Sequence, residues 1–146
     1  MTLSGGKSGS VEIRDAGFCV TTAKLGKTTM HIFAFAGNNK DWSISISSTS
    51  GMPKNGNHTV DPARPEGVTS SLVDKTVGKE PIEWVRYEAT EGTVTFTRAD
   101  SSRIAGSFRV TVKPSWPAKD GKAVTADGTF DATATEGCDG AAKVKP

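Results

Sequence analysis

The sequence predicts an all-β protein: a single antiparallel β-sandwich, or flattened barrel, of about seven to nine strands. Three observations carry that prediction. Apolar and polar residues alternate with period two over most of the chain. Leucine occurs only at Leu3, Leu25 and Leu72, while glycine numbers 16 and serine and threonine are plentiful; this composition favours strands and turns over helices. Short apolar runs recur between polar turns, with no long amphipathic helix and no repeat of about 20–50 residues.

Taken in order, residues 1–9 (MTLSGGKSG) read as a flexible Gly/Ser-rich lead-in. SVEIR (10–14) opens a single domain that extends to about residue 140, and residues 141–146 form a disordered tail. GFCVTTAKL (17–25) is a strand with Phe18, Val20 and Thr22 on one face. In TTMHIFAFA (28–36), Met30, Ile32 and Ala34 alternate with His31, Phe33 and Phe35. Both faces are largely apolar, so this strand is expected to be central and covered on both sides. DWSISISS (41–48) sends Trp42, Ile44 and Ile46 inward and Ser43, Ser45 and Ser47 outward.

Residues 49–81 break the pattern. They hold four of the seven prolines and read as one long loop, with VTSSLVDKTV (68–77) inside it as a short edge strand or, second, one helical turn. Strands resume with IEWVRYEAT (82–90), turn at Glu91-Gly92, and continue as TVTFTR (93–98). A hairpin loop leads into RIAGSFRVTVK (103–113), where Ile104, Phe108, Val110 and Val112 share a face. PSWPAKDGK (114–122) is a second atypical loop, and AVTADGTFDATA (123–134) is the last strand.

That last strand holds two aspartates four apart. Val124, Ala126, Gly128, Phe130 and Ala132 fall on one face, and Thr125, Asp127, Thr129, Asp131 and Thr133 on the other. Such a run does not fit a calcium loop, which needs closely spaced oxygen donors around a sharp turn. Asp127 and Asp131 are expected to form the solvated strand face, paired across to Arg103 and Arg109.

Composition narrows the function. The 146 residues suit one domain. The net charge of +2 comes from 18 basic and 16 acidic side chains dispersed among one another. A nucleic-acid interface would show a basic block or stripe, so none is expected. No apolar run approaches the ~18 residues that cross a membrane as a helix, and the polar opening has no signal segment. Neither phosphate-loop glycine pattern occurs, and no cofactor or metal is expected.

Cys19 and Cys138 lie near opposite ends of the chain and belong to no CxxC motif. A disulfide between them is expected. It would close nearly the whole domain, worth roughly 4–5 kcal/mol in the chain-entropy model. It would also place the protein in an oxidising compartment: periplasm, cell surface or medium.

Catalytic signals are sparse. His31 sits in an apolar strand and is expected to pack in the core or against a polar neighbour. His58 lies near Asp61, but no nucleophile elbow accompanies it. Asn57-His58-Thr59 matches a glycosylation sequon, relevant only in a eukaryotic secretory host. Trp42 and Trp84 are expected at the core or its edge. Trp116 differs, because Pro114 and Pro117 stiffen its loop and a fixed indole suits stacking or interface burial. The candidate binding residues are Trp116, Lys113 and Lys119, with His58 and Arg64 from the 49–81 loop. The lysines would favour an acidic glycan or an acidic protein face.

EGTVTFTRADSSRIAGSFRVTV (91–112) and GKAVTADGTFDAT (121–133) together resemble the C-terminal half of small exported β-sandwich domains found in bacterial lipoproteins of uncharacterised function. Gly106 and Gly128 each stand two residues before a phenylalanine, so each hairpin strand carries a G-x-F. A glycine beside an aromatic leaves room for the ring or for a bend. The resemblance implies an exported, non-enzymatic domain, with any lipid tether upstream of Met1. It supplies no catalytic residues.

The expected function is therefore a non-enzymatic exported binding domain, monomeric, presenting loops 49–81 and 113–122 to a protein or glycan partner. One alternative is an inhibitor or immunity-type protein that plugs a partner's active site. A second is a hydrolase using carboxylates such as Asp61, Glu66, Asp127 or Asp131, which would need two of them in one cleft.

Overall fold

Hydrogen bonds join every strand of the structure into one sheet, and part of that sheet closes on itself as a ring. A computed structural model describes residues 1–5, 9–10, 15–64, 67–75, 84–117 and 121–135, and among them there is no helix. The strands are β1 (Thr2–Gly5), β2 (Gly9–Ser10), β3 (Asp15–Leu25), β4 (Thr28–Asn38), β5 (Trp42–Ser48), β6 (Gly56–Thr59), β7 (Thr69–Asp74), β8 (Val85–Ala99), β9 (Arg103–Trp116) and β10 (Val124–Ala134). The expected fold class holds: the protein is all-β and dominated by antiparallel pairing.

The ring runs β3-β4-β5-β7-β8-β9-β10 and returns to β3. Its closing contact is parallel; among the described residues Thr133↔Gly17 and Ala134↔Phe18 are in register. Just upstream, β10 pairs instead with β1, from Thr2↔Asp127 to Gly5↔Val124, and β2 lies outside β1. β8 is long enough to serve two neighbours on one edge: Val85–Glu88 pair with β7, and Thr93–Phe96 pair with β6.

Period-two alternation fixes which side faces in. Trp42, Ile44, Ile46, Leu72, Tyr87, Val94, Phe96, Val110, Val112 and Val124 are all buried. With so little leucine, rings span the interior. Phe18 meets Phe33 at 6.1 Å, Phe33 meets Phe96 edge-on at 5.9 Å, Phe96 meets Phe130 at 5.3 Å, and Phe130 meets Phe35 at 5.4 Å. These contacts tie β3, β4, β8 and β10 together across the interior. Each adds about 0.5–1.5 kcal/mol beyond the area it buries.

The two G-x-F motifs interlock. Gly128 stands opposite Phe108, and Gly106 stands opposite Phe130, in the β9–β10 register. A methyl on Gly106 would overlap Thr95 O and come within 2.8 Å of the Phe130 ring; one on Gly128 would lie 3.1 Å from the Phe108 ring. Each ring therefore lies over the glycine across from it, so of the two roles left open for these glycines, room for a ring or a bend, the structure shows the first, with the ring supplied by the neighbouring strand.

Several boundaries differ from the sequence reading. The lead-in is not free: Thr2–Gly5 form β1, and Leu3 is only 4% exposed because it enters the core beside Ala126. Of the expected first strand 10–14, residues 11–14 lie outside the described residues, as does the tail 141–146. β4 is central but covered on one side only. Phe33 and Phe35 are buried, whereas Ala34 and Ala36 are exposed and Met30 and Ile32 half-buried.

Within the long loop the expected strand over 68–77 is present as β7, and β6 is a second strand not expected there. β7 is not an edge, since β5 and β8 flank it. Glu91-Gly92 is no turn either. Gly92, at φ +137°, lies beside a bulge between Ala89 and Glu91, and β8 runs straight through. A bulge adds a residue to one strand without ending it. PSW (114–116) continues β9 rather than opening a loop.

Candidate functional site

The outer face of β5, β7, β8 and β9 gathers side chains that the alternation sends into water. Register aligns them in rows. Ser43, Val73, Arg86 and Trp116 form one row, and Ser45, Ser71, Glu88 and Lys113 form the next. Ser47 and Thr69 begin a third. The hydroxyls are ordered against one another: Ser45 Oγ lies 2.6 Å from Ser71 Oγ, Ser47 Oγ lies 3.0 Å from Thr69 Oγ1, and Ser43 Oγ donates to Asn38 Oδ1 at 2.6 Å. Arg86 Nε stands 3.4 Å from Glu88 Oε1 on the same strand face. A groove of about 240 Å³ runs over these groups, lined by Ser45, Ser47, Thr69, Ser71, Arg86 and Glu88 and bordered by Pro62.

Trp84 and Trp116 stand at the Arg86 end. Their ring centroids are 4.5 Å apart with planes inclined at 30°. They are the exposed large hydrophobic residues among the described ones, at 39% and 44%. The backbone explains the pairing. Arg86 lies opposite Trp116, then the register slips so that Tyr87 lies opposite Pro114. Ser115 Oγ donates to Arg86 O at 3.3 Å across the slip. Trp84, two residues before Arg86, is thereby brought over the Trp116 ring. Each indole covers one face of the other.

Trp84 was expected in or near the core, and the structure corrects this. Trp84, Arg86, Glu88 and Thr90 share one parity and are all exposed, while Tyr87 and Ala89 on the opposite parity are buried. The polar company of Trp84 is the signal in the sequence that could have placed it outside. Trp42, by contrast, is a core residue as expected, at 8% exposure.

The other candidates separate. Lys113 stays near the Trp pair through its register with Glu88. Lys119 lies outside the described residues, as does Glu66. Arg64 belongs to the turn that sets Pro62 on the groove's border. In that turn Asp61 Oδ1 accepts from Ala63 N at 2.9 Å, and Arg64 Nε stands 3.8 Å from Asp61 Oδ2. His58 is not brought to Trp116. It sits on β6 opposite Val94, towards the other end of β8, with Nε2 2.6 Å from Lys54 O and its ring edge-on to Phe96. His31 is exposed and pairs with a polar neighbour, Nδ1 lying 3.2 Å from Thr22 Oγ1.

The two aspartates of β10 behave as the strand-face reading expected. Arg103 grips Asp131 with two donors, Nε at 2.6 Å and Nη2 beside it. Those hydrogen bonds hold the Asp131 carboxyl below its usual range. Arg109 Nη1 stands 3.6 Å from Asp127 Oδ2. At the β8–β9 hairpin, Asp100 accepts from Arg98, Ser102 and Arg103, which holds its carboxyl well below the ordinary value.

A second cavity, also about 240 Å³, opens where β10 has left β1 and not yet joined β3. Its walls are core groups, Phe35, Ile44, Phe108 and Phe130, with Met1 and Ala16 at its mouth. Among the described residues, no group of three or more His, Cys, Asp or Glu side chains is placed to hold a metal, and no helix is long and apolar enough to cross a membrane. The bridge expected between Cys19 and Cys138 has its second cysteine outside the described residues. Compared with known protein families, curated proteins and solved structures, the chain matches none.

Proposed function

We propose that this chain is a non-enzymatic binding module of the exported, lipoprotein-type class, presenting the Trp84–Trp116 end of its outer face to a protein or glycan partner. The observation that carries the reading is the stacked indole pair, with over a third of each residue in water. Rings already held against each other lose little freedom when a ligand covers them, so their apolar area contributes to affinity with a small ordering cost. A carboxylate-dependent hydrolase fits less well. Asp127 and Asp131 are each engaged by an arginine on an open strand face, not paired with each other in a cleft.

Export and a Cys19–Cys138 disulfide belong to the same proposal. Thr135 N donates to Phe18 O at 2.9 Å, which carries the chain alongside β3 next to Cys19 and three residues before Cys138. Protein from an oxidising compartment should show no titratable thiol in denaturant, and reductant should lower its melting temperature. Two free thiols with an unchanged melt would remove both the bridge and the argument for export.

The binding reading is tested by retaining partners from the host cell envelope on immobilised protein. Trp84→Ala and Trp116→Ala should each release what the parent retains while the fold stays intact. Retention unaffected by either change would place the binding surface elsewhere.

A further inference from the structure

We infer that the row surface beside the Trp84–Trp116 pair is a glycan site, shaped for a short neutral chain of pyranose rings whose ring substituents are equatorial. This rests on the binding-module reading and narrows it to one class of ligand.

Three features lead there. The first is the platform. A pyranose ring with equatorial hydroxyls turns a flat layer of C–H groups to each side, and that layer packs on an indole face. Each ring of the Trp pair has one face covered by its partner, leaving an outer face for a sugar. The second is the floor. From Trp116 on β9 to Ser43 and Ser45 on β5 is three strand spacings, roughly 14–15 Å. Along it lie Ser45, Ser47, Ser71 and Thr69, whose hydroxyls both donate and accept and so match sugar hydroxyls in kind. Arg86 offers a planar fork of donors and Glu88 two acceptor oxygens, a pair that can take neighbouring hydroxyls of one ring.

The third is charge. Arg86 and Glu88 stand 3.4 Å apart and offset one another, so the centre of the groove exerts little net attraction on an anion. Lys113 is left at the side, in register with Glu88. This revises the expectation of an acidic ligand. A protein partner would need the indoles at the centre of a dry, apolar patch. Among the described residues the pair's row neighbours are Val73 and the Arg86–Glu88 ion pair, with the hydroxyl floor beyond, a surface suited to a hydrated ligand.

The test is a titration panel read by tryptophan fluorescence and calorimetry. One set contains β-linked gluco-, xylo- and N-acetylglucosamine oligosaccharides. A second contains manno- and galacto-oligosaccharides, whose rings carry an axial hydroxyl, and a third contains acidic oligosaccharides. Saturable binding is expected in the first set, little changed by salt. Trp84→Ala and Trp116→Ala should each weaken it by about tenfold or more. Trp116→Phe should restore part of the loss, and Ser71→Ala, Arg86→Ala and Glu88→Gln should weaken binding a few-fold without moving the melting temperature. No saturable binding in any set would overturn the inference, as would binding that ignores both tryptophans, or binding confined to the acidic set and lost in salt. If no sugar binds yet envelope partners still depend on Trp116, the glycan class is wrong and the binding module stands. If neither depends on Trp116, both fall.

Discussion

The molecule has two polar outer faces that share β8 and β9, and they differ in what is left over. On the β8–β9–β10 side, side chains satisfy one another across strands. Arg103 holds Asp131, Arg109 faces Asp127, and Thr95 donates to Asn57 at 2.7 Å. On the β5–β7–β8–β9 side the hydroxyls also meet in pairs, but the strand end carries two indoles that remain over a third exposed. Alternation alone makes both faces polar. What sets the second face apart is the exposed aromatic pair, which gains by being covered.

The sharpest way to break this comparison sets one tryptophan against another. Trp42→Ala should cost about 3–5 kcal/mol in denaturant unfolding, the price of a large core cavity. Trp116→Ala should cost about 1 kcal/mol or less, since only a stacking contact is lost. Equal costs would make the pair a structural clamp on the β8–β9 ends, and the binding face would have to be sought elsewhere.

The Gly–Phe interlock gives the next largest effect. Gly106→Ala pushes a methyl into Thr95 O and the Phe130 ring and should destabilise by about 1–3 kcal/mol. Gly128→Ala, with 3.1 Å to the Phe108 ring, should cost less. A double-mutant cycle on Trp84 and Trp116 should then return a coupling of about 0.5–1.5 kcal/mol.

The self-satisfied face should respond least. Replacing Asp127 and Asp131 together by Asn should barely move the melting temperature at neutral pH, because exposed ion pairs contribute little. Its signature is a pH dependence. Arg103 lowers the folded-state value of Asp131, so the stabilising effect is present above the unfolded carboxylate pKa of about 3.9 and is lost as pH falls through the lower folded value. Asp131→Asn should flatten that acid limb. Tyr87 acts at the other extreme. Burial, then the Asp74 carboxylate, raises its folded-state value, so stability should decline as pH climbs from about 10 towards that value. Tyr87→Phe should remove the decline.

What the sequence revealed follows from how local each determinant is. β3, β5 and β10 are legible because their alternation is uninterrupted. The cross-strand arginine–aspartate pairs followed from parity alone. β8 was read as two strands because a glycine after a glutamate looks like a turn, and only the partner strand shows that the extra residue is absorbed as a bulge. β6 hides among glycines and asparagines, where no alternation is long enough to stand out, whereas β7 was read as a strand and only its place between β5 and β8 was missed. The Trp pair is the hardest case. Trp84 and Trp116 are far apart in sequence, and their stacking depends on the β8–β9 register and its slip at Arg86. Half of the site, Trp116 and Lys113, was visible in the proline-flanked motif; the other half needed the register.

The closing contact between β10 and β3 bears on how the chain reaches this state. Gly17 and Phe18 must find Thr133 and Ala134, partners more than a hundred positions away. Bringing such distant segments together costs chain entropy before any interaction rewards it. Non-local β topologies of this kind fold in milliseconds to seconds. Until β10 is in place, β9 keeps one free edge and β3 another, and unpaired edges of that sort invite pairing with other chains. A truncation that removes residues 133–135 would take this contact away and leave the start of β3 without its partner on that edge.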